Sequence, residues 1–228
     1  RVEPGEWPKL LRFGLFGLLL QTGLGVGFSA GDAAFLTHVG PGQLPVIFLL
    51  TPVVMAVYTA LYSVLQVRLP PGRVIDLTLA YLIAGGVAGW ALLSAPLPKP
   101  WALGAYYALK LYLAMWYIGL YSLFWTFVDG YFDIQDAKRL FPLFAAFCAL
   151  GAALGALAMG ALAKVTPLPV FLLVWAGVAA LTLPVARNLQ SRFSRIAETD
   201  ADLGDETLGV GAQLRLALQT FRTSRYAT

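Results

Sequence analysis

The chain has 228 residues, of which 59% are hydrophobic and only 12% are charged, and its mean hydropathy is +0.73. A soluble domain of this length cannot bury so large an apolar fraction, so the composition excludes one soluble core and predicts an integral membrane protein. The net charge is +4, but the basic residues lie at the ends of apolar runs and form no basic stripe. A nucleic-acid partner is therefore not expected.

Six apolar segments follow one another along the chain, and each is long enough to cross about 30 Å of hydrocarbon as a helix. We place them at residues 10–37, 44–67, 74–95, 101–128, 140–163 and 168–186. The breaks between them are short, which makes consecutive helices antiparallel neighbours. The predicted fold is therefore all-α, a polytopic membrane protein with a six-helix transmembrane domain over residues 1–190.

The basic residues near the span ends are unequally divided between the two sides of the membrane. One side has only Lys99 and Lys164. The other side has ten: Arg1, Lys9, Arg12, Arg68, Arg73, Lys138, Arg139, Arg187, Arg192 and Arg195. The positive-inside rule makes this richer side cytoplasmic. We expect both chain ends in the cytoplasm and the protein in the bacterial inner membrane.

Residues 191–228 have a different composition from the spans. An acidic, Gly-containing stretch begins at Glu198 and predicts a solvated cytoplasmic linker. Residues 208–226 then alternate apolar and basic side chains in the pattern of an amphipathic helix. That helix could lie on the membrane surface, or it could lead into a seventh span.

Two of the charged residues inside the predicted spans lie more than one helical turn from a span end, where an ionisable group is costly and indicates a functional site. Lys110 lies about eight residues into the fourth span, and Asp32 lies near the outer end of the first. Both belong to the outer half of the bilayer, so they could pair across a substrate cavity. The alternatives are that Lys110 extends to the outer surface and that Asp32 is already in water.

Two further residues are candidates for the same cavity. Gln21 lies near the middle of the first span, among many glycines that could let the helix line a pathway or simply pack closely. Trp116 belongs to a run of aromatic residues in the fourth span. Those in the middle of the run could stack on a ligand, a lipid or a pigment.

The fifth span carries small residues at helical spacing. Gly151 and Gly155 have GxxxG spacing, and Gly160 continues a second small-residue face. Such residues let two helix backbones approach closely within a membrane. We predict a helix-packing role for all three.

A polar connection over residues 129–139 faces the turn between the second and third spans on the cytoplasmic side. Opposite charges on the two segments could form an ionic gate at the inner end of a pathway. The residues of this predicted gate are Arg68, Arg73, Asp129, Asp133, Asp136, Lys138 and Arg139. Asp136 could instead only cap the fifth helix, with Lys138 and Arg139 acting as a topology signal.

The sequence offers no catalytic or metal-binding pattern. It contains one His, His38, and one Cys, Cys148, which is too few for a metal site or an internal disulfide. Cys148 lies in an apolar run and is expected to be a buried, inert thiol. We therefore predict no metal, no cofactor and no enzymatic activity.

Residues 121–160 read YSLFWTFVDGYFDIQDAKRLFPLFAAFCALGAALGALAMG. This stretch resembles the fourth helix, inner loop and fifth helix of the ATP/ADP translocase family, a branch of the major facilitator superfamily. The matching residues are Phe124-Trp125, 136–139 and 141–143. The resemblance implies one six-helix half of a twelve-helix transporter that works by alternating access.

The chain departs from that family at two places. The family has a Lys-Asp pair late in its first helix, where this chain has Gly31-Asp32, and a Glu in its fourth helix, where this chain has Ala114. The expected function is therefore transport of a small solute, with an anion as the candidate, and nucleotide exchange is not expected. The alternative is a non-transporting subunit or scaffold of a larger membrane complex. The expected partners are lipid, a second six-helix half or other membrane subunits, and a small-molecule solute.

Overall fold

The computed structural model describes residues 5–96 and 98–196. It contains six α-helices and, among the described residues, no β-strand. The helices are α1 (Trp7–His38), α2 (Leu44–Arg68), α3 (Pro71–Ser94), α4 (Lys99–Asp129), α5 (Ile134–Leu162) and α6 (Val170–Arg192). All six are long and apolar enough to cross a membrane. The predicted all-α polytopic membrane fold is confirmed.

Most helix boundaries differ from the predicted spans by a few residues, and polar or proline residues account for three of the larger differences. α3 begins at Pro71, whose missing N–H costs nothing in a first turn. α5 begins at Ile134 instead of 140, because the Asp133 carboxylate accepts a hydrogen bond from the Asp136 backbone N–H at 2.7 Å. The N-cap of α5 is thus Asp133 and not Asp136. α6 continues to Arg192, six residues past the predicted 186.

α1 is the central helix and packs against α4, α5 and α6. Near its inner end, Phe13 is fully buried and lies within 6.3 Å of five other aromatic rings. These rings belong to Phe127, Tyr131, Phe132, Phe144 and Phe193. The cluster joins the start of α1 to the end of α4, the start of α5 and the end of α6.

The contact between α1 and α5 brings two backbones together. A Cβ atom on Gly25 would lie 2.6 Å from the Ala152 carbonyl oxygen, which is too close for any side chain. On α5, Gly151 lies directly against the Leu18 carbonyl and Gly155 against the Thr22 carbonyl. These positions therefore require glycine.

Gly160 does not take part in this contact. No heavy atom of the described residues lies within 4 Å of its Cβ position, which is exposed. Five residues of helix turn a side chain by about 140°, so Gly160 faces away from the surface that Gly155 presents to α1.

The helix pairs show an internal repeat. α1 packs against α5 and α6, α4 packs against α2 and α3, and α1–α4 and α3–α6 are in contact as well. Exchanging the first three helices with the last three leaves these pairs unchanged, but the weak α2–α3 contact has no comparable α5–α6 counterpart. α2 is the most peripheral member, since Ile47 is the only buried residue among its 25 described residues.

The compact six-helix unit ends at Ser194. The predicted linker and amphipathic helix of residues 191–228 fall almost entirely on residues 197–228, outside the described residues.

Candidate functional site

Lys110 and Asp32 form an ion pair between α4 and α1. The Lys110 ammonium donates a hydrogen bond to Asp32 Oδ1. Lys110 as a whole is 8% exposed, whereas the Asp32 side chain is 38% exposed. The lysine therefore does not extend to the outer surface as a free cation. Its charge is balanced inside the bundle by a carboxylate that is partly open on one side.

An aromatic ring completes the surroundings of the lysine. The Lys110 Nζ lies 4.7 Å from the centre of the Phe28 ring, a cation–π distance. On its other side, Phe28 packs against Tyr117, with 5.1 Å between ring centres. Phe28 of α1 thus contacts both the lysine and a tyrosine of α4.

The spacing of these residues places them on one continuous surface. On α1, positions 21, 28 and 32 are separated by seven and four residues, and on α4, positions 110, 117 and 121 have the same separations. Both separations keep side chains on one helix face. We name this surface the α1/α4 stripe: Gln21, Phe28, Asp32, Lys110, Tyr117 and Tyr121.

The deeper end of the stripe borders a cavity of about 440 Å³ between α1, α4 and α5. We call it the Gln21 cavity. It is lined by Gln21, Tyr117, Tyr121, Ala145, Cys148, Ala149 and Ala152. The structure therefore brings Gln21 to the same surface as the ion pair, at a greater depth.

Trp116 lies elsewhere. It is 2% exposed and packs edge-on against Tyr58 of α2 and Tyr112 of α4, at ring distances of 6.0 Å. Six residues of helix rotate Trp116 by about 240° from Lys110, so the two cannot share a face. Trp116 instead lines an apolar opening of about 570 Å³ between α2, α3 and α4, which we name the lateral groove.

At the end of the bundle where α1 begins, the structure gives Arg139 a partner that was not predicted. Its guanidinium donates to Glu6 at 2.6 Å and to Asp136 at 2.6 Å. Nearby, Lys9 donates to the Tyr131 carbonyl at 2.6 Å, so the start of α1 is tied to the α4–α5 connection. The sequence places Glu6 just before the first span, but it contains no signal that selects Arg139 as its partner.

The predicted contact between the two inner segments is not formed. Within residues 5–96 and 98–196, neither Arg68 nor Arg73 makes an ion pair with the connection around Asp129 and Asp133. The α2–α3 turn lies instead beside the end of α6, where Gly72 contacts Gln190. Asp129, Asp133 and Lys138 border a shallow depression of about 470 Å³ on the α4–α5 connection.

A second inner ion pair links α3 and α6. The Arg187 guanidinium lies 3.2 Å from an Asp76 carboxylate oxygen, and both side chains are substantially exposed. Neither residue was selected from the sequence, because a charge at a helix end usually indicates only a solvated terminus.

The outer end carries an aromatic contact between α1 and α4. His38 stacks on Tyr106 with 4.5 Å between ring centres, and the Tyr107 hydroxyl donates to Gln43 Oε1 at 2.9 Å. These contacts hold the α1–α2 connection against the start of α4, next to the ion pair.

Among the described residues, no group of three or more His, Cys, Asp or Glu side chains could hold a metal ion. The site consists of one buried cation, its carboxylate, and aromatic and amide groups. Such a set can bind an anion, exchange ionic partners and stack on a flat group. It offers no nucleophile with an adjacent base.

No protein-family model, curated protein or solved structure matches this chain. The functional assignment therefore depends on the contacts of the α1/α4 stripe.

Proposed function

We propose that the six-helix unit is half of a membrane transporter in which the α1/α4 stripe lines the path of a small anionic solute. The observation that carries this proposal is the Lys110–Asp32 ion pair inside two apolar helices. Charged groups at this depth normally face a bundle interior or a water-filled cavity. Because Asp32 is partly exposed, we infer that its open side faces the interior of a larger bundle or a water-filled cavity.

The exposure of the α1/α4 stripe supports the presence of a second segment that packs over it. Tyr117 is 55% exposed and Tyr121 is 49% exposed, although both belong to a membrane-spanning helix next to a charged pair. A second six-helix segment facing this surface would enclose the stripe and leave a central cavity. The internal repeat among the helix pairs supports the same architecture, because repeated helical units are common in transporters.

The ion pair suggests how an anion would bind. Lys110 is nearly fully buried, so its charge must have a partner in every state of the protein. An entering anion can replace the Asp32 carboxylate, which then turns to the open side. This exchange keeps the ammonium paired. It also makes the solute bind more tightly to one state of the protein than to the other, as alternating access requires.

The packing around Gly31 supports a solute other than a nucleotide. In the family that residues 121–160 resemble, the position before Asp32 is a lysine. Here Gly31 has no side chain, and the Leu113 side chain occupies the space beside it. The orientation proposed with this function places the Arg- and Lys-rich end in the cytoplasm of a bacterial inner membrane.

Single-cysteine accessibility in the full-length protein tests the pathway without knowledge of the solute. In a Cys148→Ala background without other cysteines, Tyr117→Cys is compared with Leu157→Cys, an apolar position on α5 that is 70% exposed and lies away from the stripe. Methanethiosulfonates react with ionised thiols in water, so Tyr117→Cys should react about tenfold faster or more. Equal, slow reaction at both positions would exclude an aqueous pathway along the stripe.

The anion preference is tested with the same Tyr117→Cys protein. The anionic 2-sulfonatoethyl reagent should react faster than the cationic trimethylammonium-ethyl reagent, because Lys110 lies on the same stripe. Lys110→Gln should reverse or abolish this preference, whereas Lys164→Gln, at an exposed position, should leave it unchanged. A preference that survives Lys110→Gln would exclude Lys110 as the anion site.

A second candidate function is a non-transporting subunit of a membrane complex. The observation in its favour is α2, whose outer face carries large exposed apolar residues such as Phe48 and Leu49 at 69% and 76% exposure. Such a face suits contact with other membrane helices. Gentle detergent purification from the native membrane distinguishes the two: a stoichiometric complex supports the subunit, and a solitary protein with an accessible stripe supports the transporter.

A further inference from the structure

The Gln21 cavity has no charged lining residue. Its walls consist of two tyrosines, one amide, one thiol and three alanines. A charged ligand group that stays there would have no opposite charge to pair with, so the cavity favours an uncharged group. The alanines leave the space, and the rings of Tyr117 and Tyr121 offer flat surfaces.

One polar group in this wall lacks a partner. Gln21 is 5% exposed, and its amide nitrogen has no hydrogen-bond acceptor among the described residues. A buried N–H without an acceptor is costly and is rare in folded proteins. The nitrogen has less than 1 Å² of accessible surface, so an acceptor supplied by a ligand would remove this cost once the Gln21 amide rotates toward the cavity.

We propose that the Gln21 cavity binds an uncharged group made of an aromatic or apolar ring that carries a carbonyl-type acceptor. The ring packs between Tyr117 and Tyr121, and the acceptor receives a hydrogen bond from the Gln21 amide. Gln21 lies eleven residues from Asp32 on α1, which is about 16 Å along the axis, so this site is separate from the ion pair.

The inference rests on the proposed function only in that both use the α1/α4 stripe. The anion site depends on Lys110, whereas the neutral site depends on Gln21. A test that measures occupancy of the Gln21 cavity can therefore fail or succeed independently of transport.

Cys148 is a built-in reporter, because it lines the cavity and is the only cysteine in the sequence. The experiment measures the rate at which N-ethylmaleimide alkylates Cys148 in the full-length protein, after replacement of any cysteine outside residues 1–228 by serine. The competitors are acetophenone and ethylbenzene, which are similar in shape but differ in the carbonyl oxygen. At equal concentrations in the micelle, acetophenone should protect Cys148 about three- to tenfold better, the effect of one net hydrogen bond.

Two variants identify the contact that is responsible. Gln21→Leu keeps the side-chain size but removes the donor. Acetophenone and ethylbenzene should then protect Cys148 equally. Ala149→Leu fills the cavity and should abolish protection by both. The control is Leu157→Ala, on the exposed face of α5. In this variant, each competitor should protect Cys148 as well as it does in the unmodified protein.

The proposal is overturned if acetophenone and ethylbenzene protect equally in the unmodified protein. It is also overturned if neither protects, if Cys148 does not react at all, or if the acetophenone advantage persists in Gln21→Leu. Elution of each variant as a single species in size-exclusion chromatography verifies that it is folded before the rates are compared.

Discussion

The α1–α5 contact and the α4–α2 contact occupy equivalent places in the internal repeat, but only the first is closed. On one side, Gly25, Gly151 and Gly155 bring two backbones into contact. On the other side, α2 presents Tyr58 and Tyr62, and a groove of about 570 Å³ remains open to the surroundings.

The side chains at the two contacts explain this difference. Small residues let helices approach until backbone atoms touch, whereas aromatic residues hold helix axes apart. The Tyr58 hydroxyl fits against α4 because residue 119 is a glycine: a Cβ atom there would lie 2.6 Å from the tyrosine oxygen. The molecule thus combines a tight contact around α1 with a loose one around α2, and the loose side is the better candidate for movement.

The largest expected effect comes from breaking the tight contact. Gly155→Leu places a side chain against the Thr22 carbonyl, which cannot move without displacing α1. We expect the free energy of unfolding to fall by about 3 kcal/mol or more. Unfolding of the detergent-solubilised protein, followed by circular dichroism, measures the loss.

Gly160→Leu is the matched control, because it lies on the same helix with open space around it. Its stability should change by less than about 0.5 kcal/mol. Equal destabilisation by both substitutions would mean that helix propensity, and not contact with α1, determines the requirement for glycine on α5.

The next largest effect concerns the α1–α4 contact, which lies between the tight and loose regions. Asp32→Asn leaves the buried Lys110 charge without its carboxylate. Loss of one partner of a fully buried pair costs about 3–5 kcal/mol, so we expect about 2 kcal/mol here because Asp32 is partly exposed.

The double variant Asp32→Asn with Lys110→Met removes the unpaired charge and should recover most of that stability. Thermal unfolding of the single and double variants gives the comparison. A double variant as unstable as the single one would show that the ion pair does not determine the stability of this contact.

A smaller effect of opposite sign is expected in the lateral groove. The Tyr58 hydroxyl is buried and has no hydrogen-bond partner among the described residues. Tyr58→Phe removes this unsatisfied group and should stabilise the protein by about 1 kcal/mol. By contrast, Tyr107→Phe loses the hydrogen bond to Gln43 and should be neutral or slightly destabilising. Destabilisation by Tyr58→Phe would indicate that the groove holds an acceptor for this hydroxyl.

The smallest effect is expected at the inner end. Arg139→Gln removes the ion pairs to Glu6 and Asp136, which are partly exposed and screened by solvent, so the loss of stability should be small but measurable by thermal unfolding. Arg68→Gln should cost nothing measurable, since Arg68 has no ion-pair partner in the described part of the chain. A larger loss for Arg68→Gln would support the predicted gate in another state of the protein.

The sequence alone determined the membrane class, the six helices and their alternating direction. Hydrocarbon excludes charge and unpaired backbone, so apolar segments of about 20 residues can be recognised without a structure. It also identified Lys110, Asp32 and Gln21, because polar groups stand out in such segments. The start of α5 could not be located from apolar content, since its first turns are polar and depend on the Asp133 cap.

Only the tertiary structure decided which of these groups meet. Asp32 and Lys110 are 78 residues apart, and Glu6 and Arg139 are 133 apart, so their contacts depend on the rotation and depth of separate helices. The same rotation places Trp116 in the lateral groove and turns Gly160 away from α1. The local sequence determines which side chains lie on each helix face, whereas packing determines which face of another helix they contact.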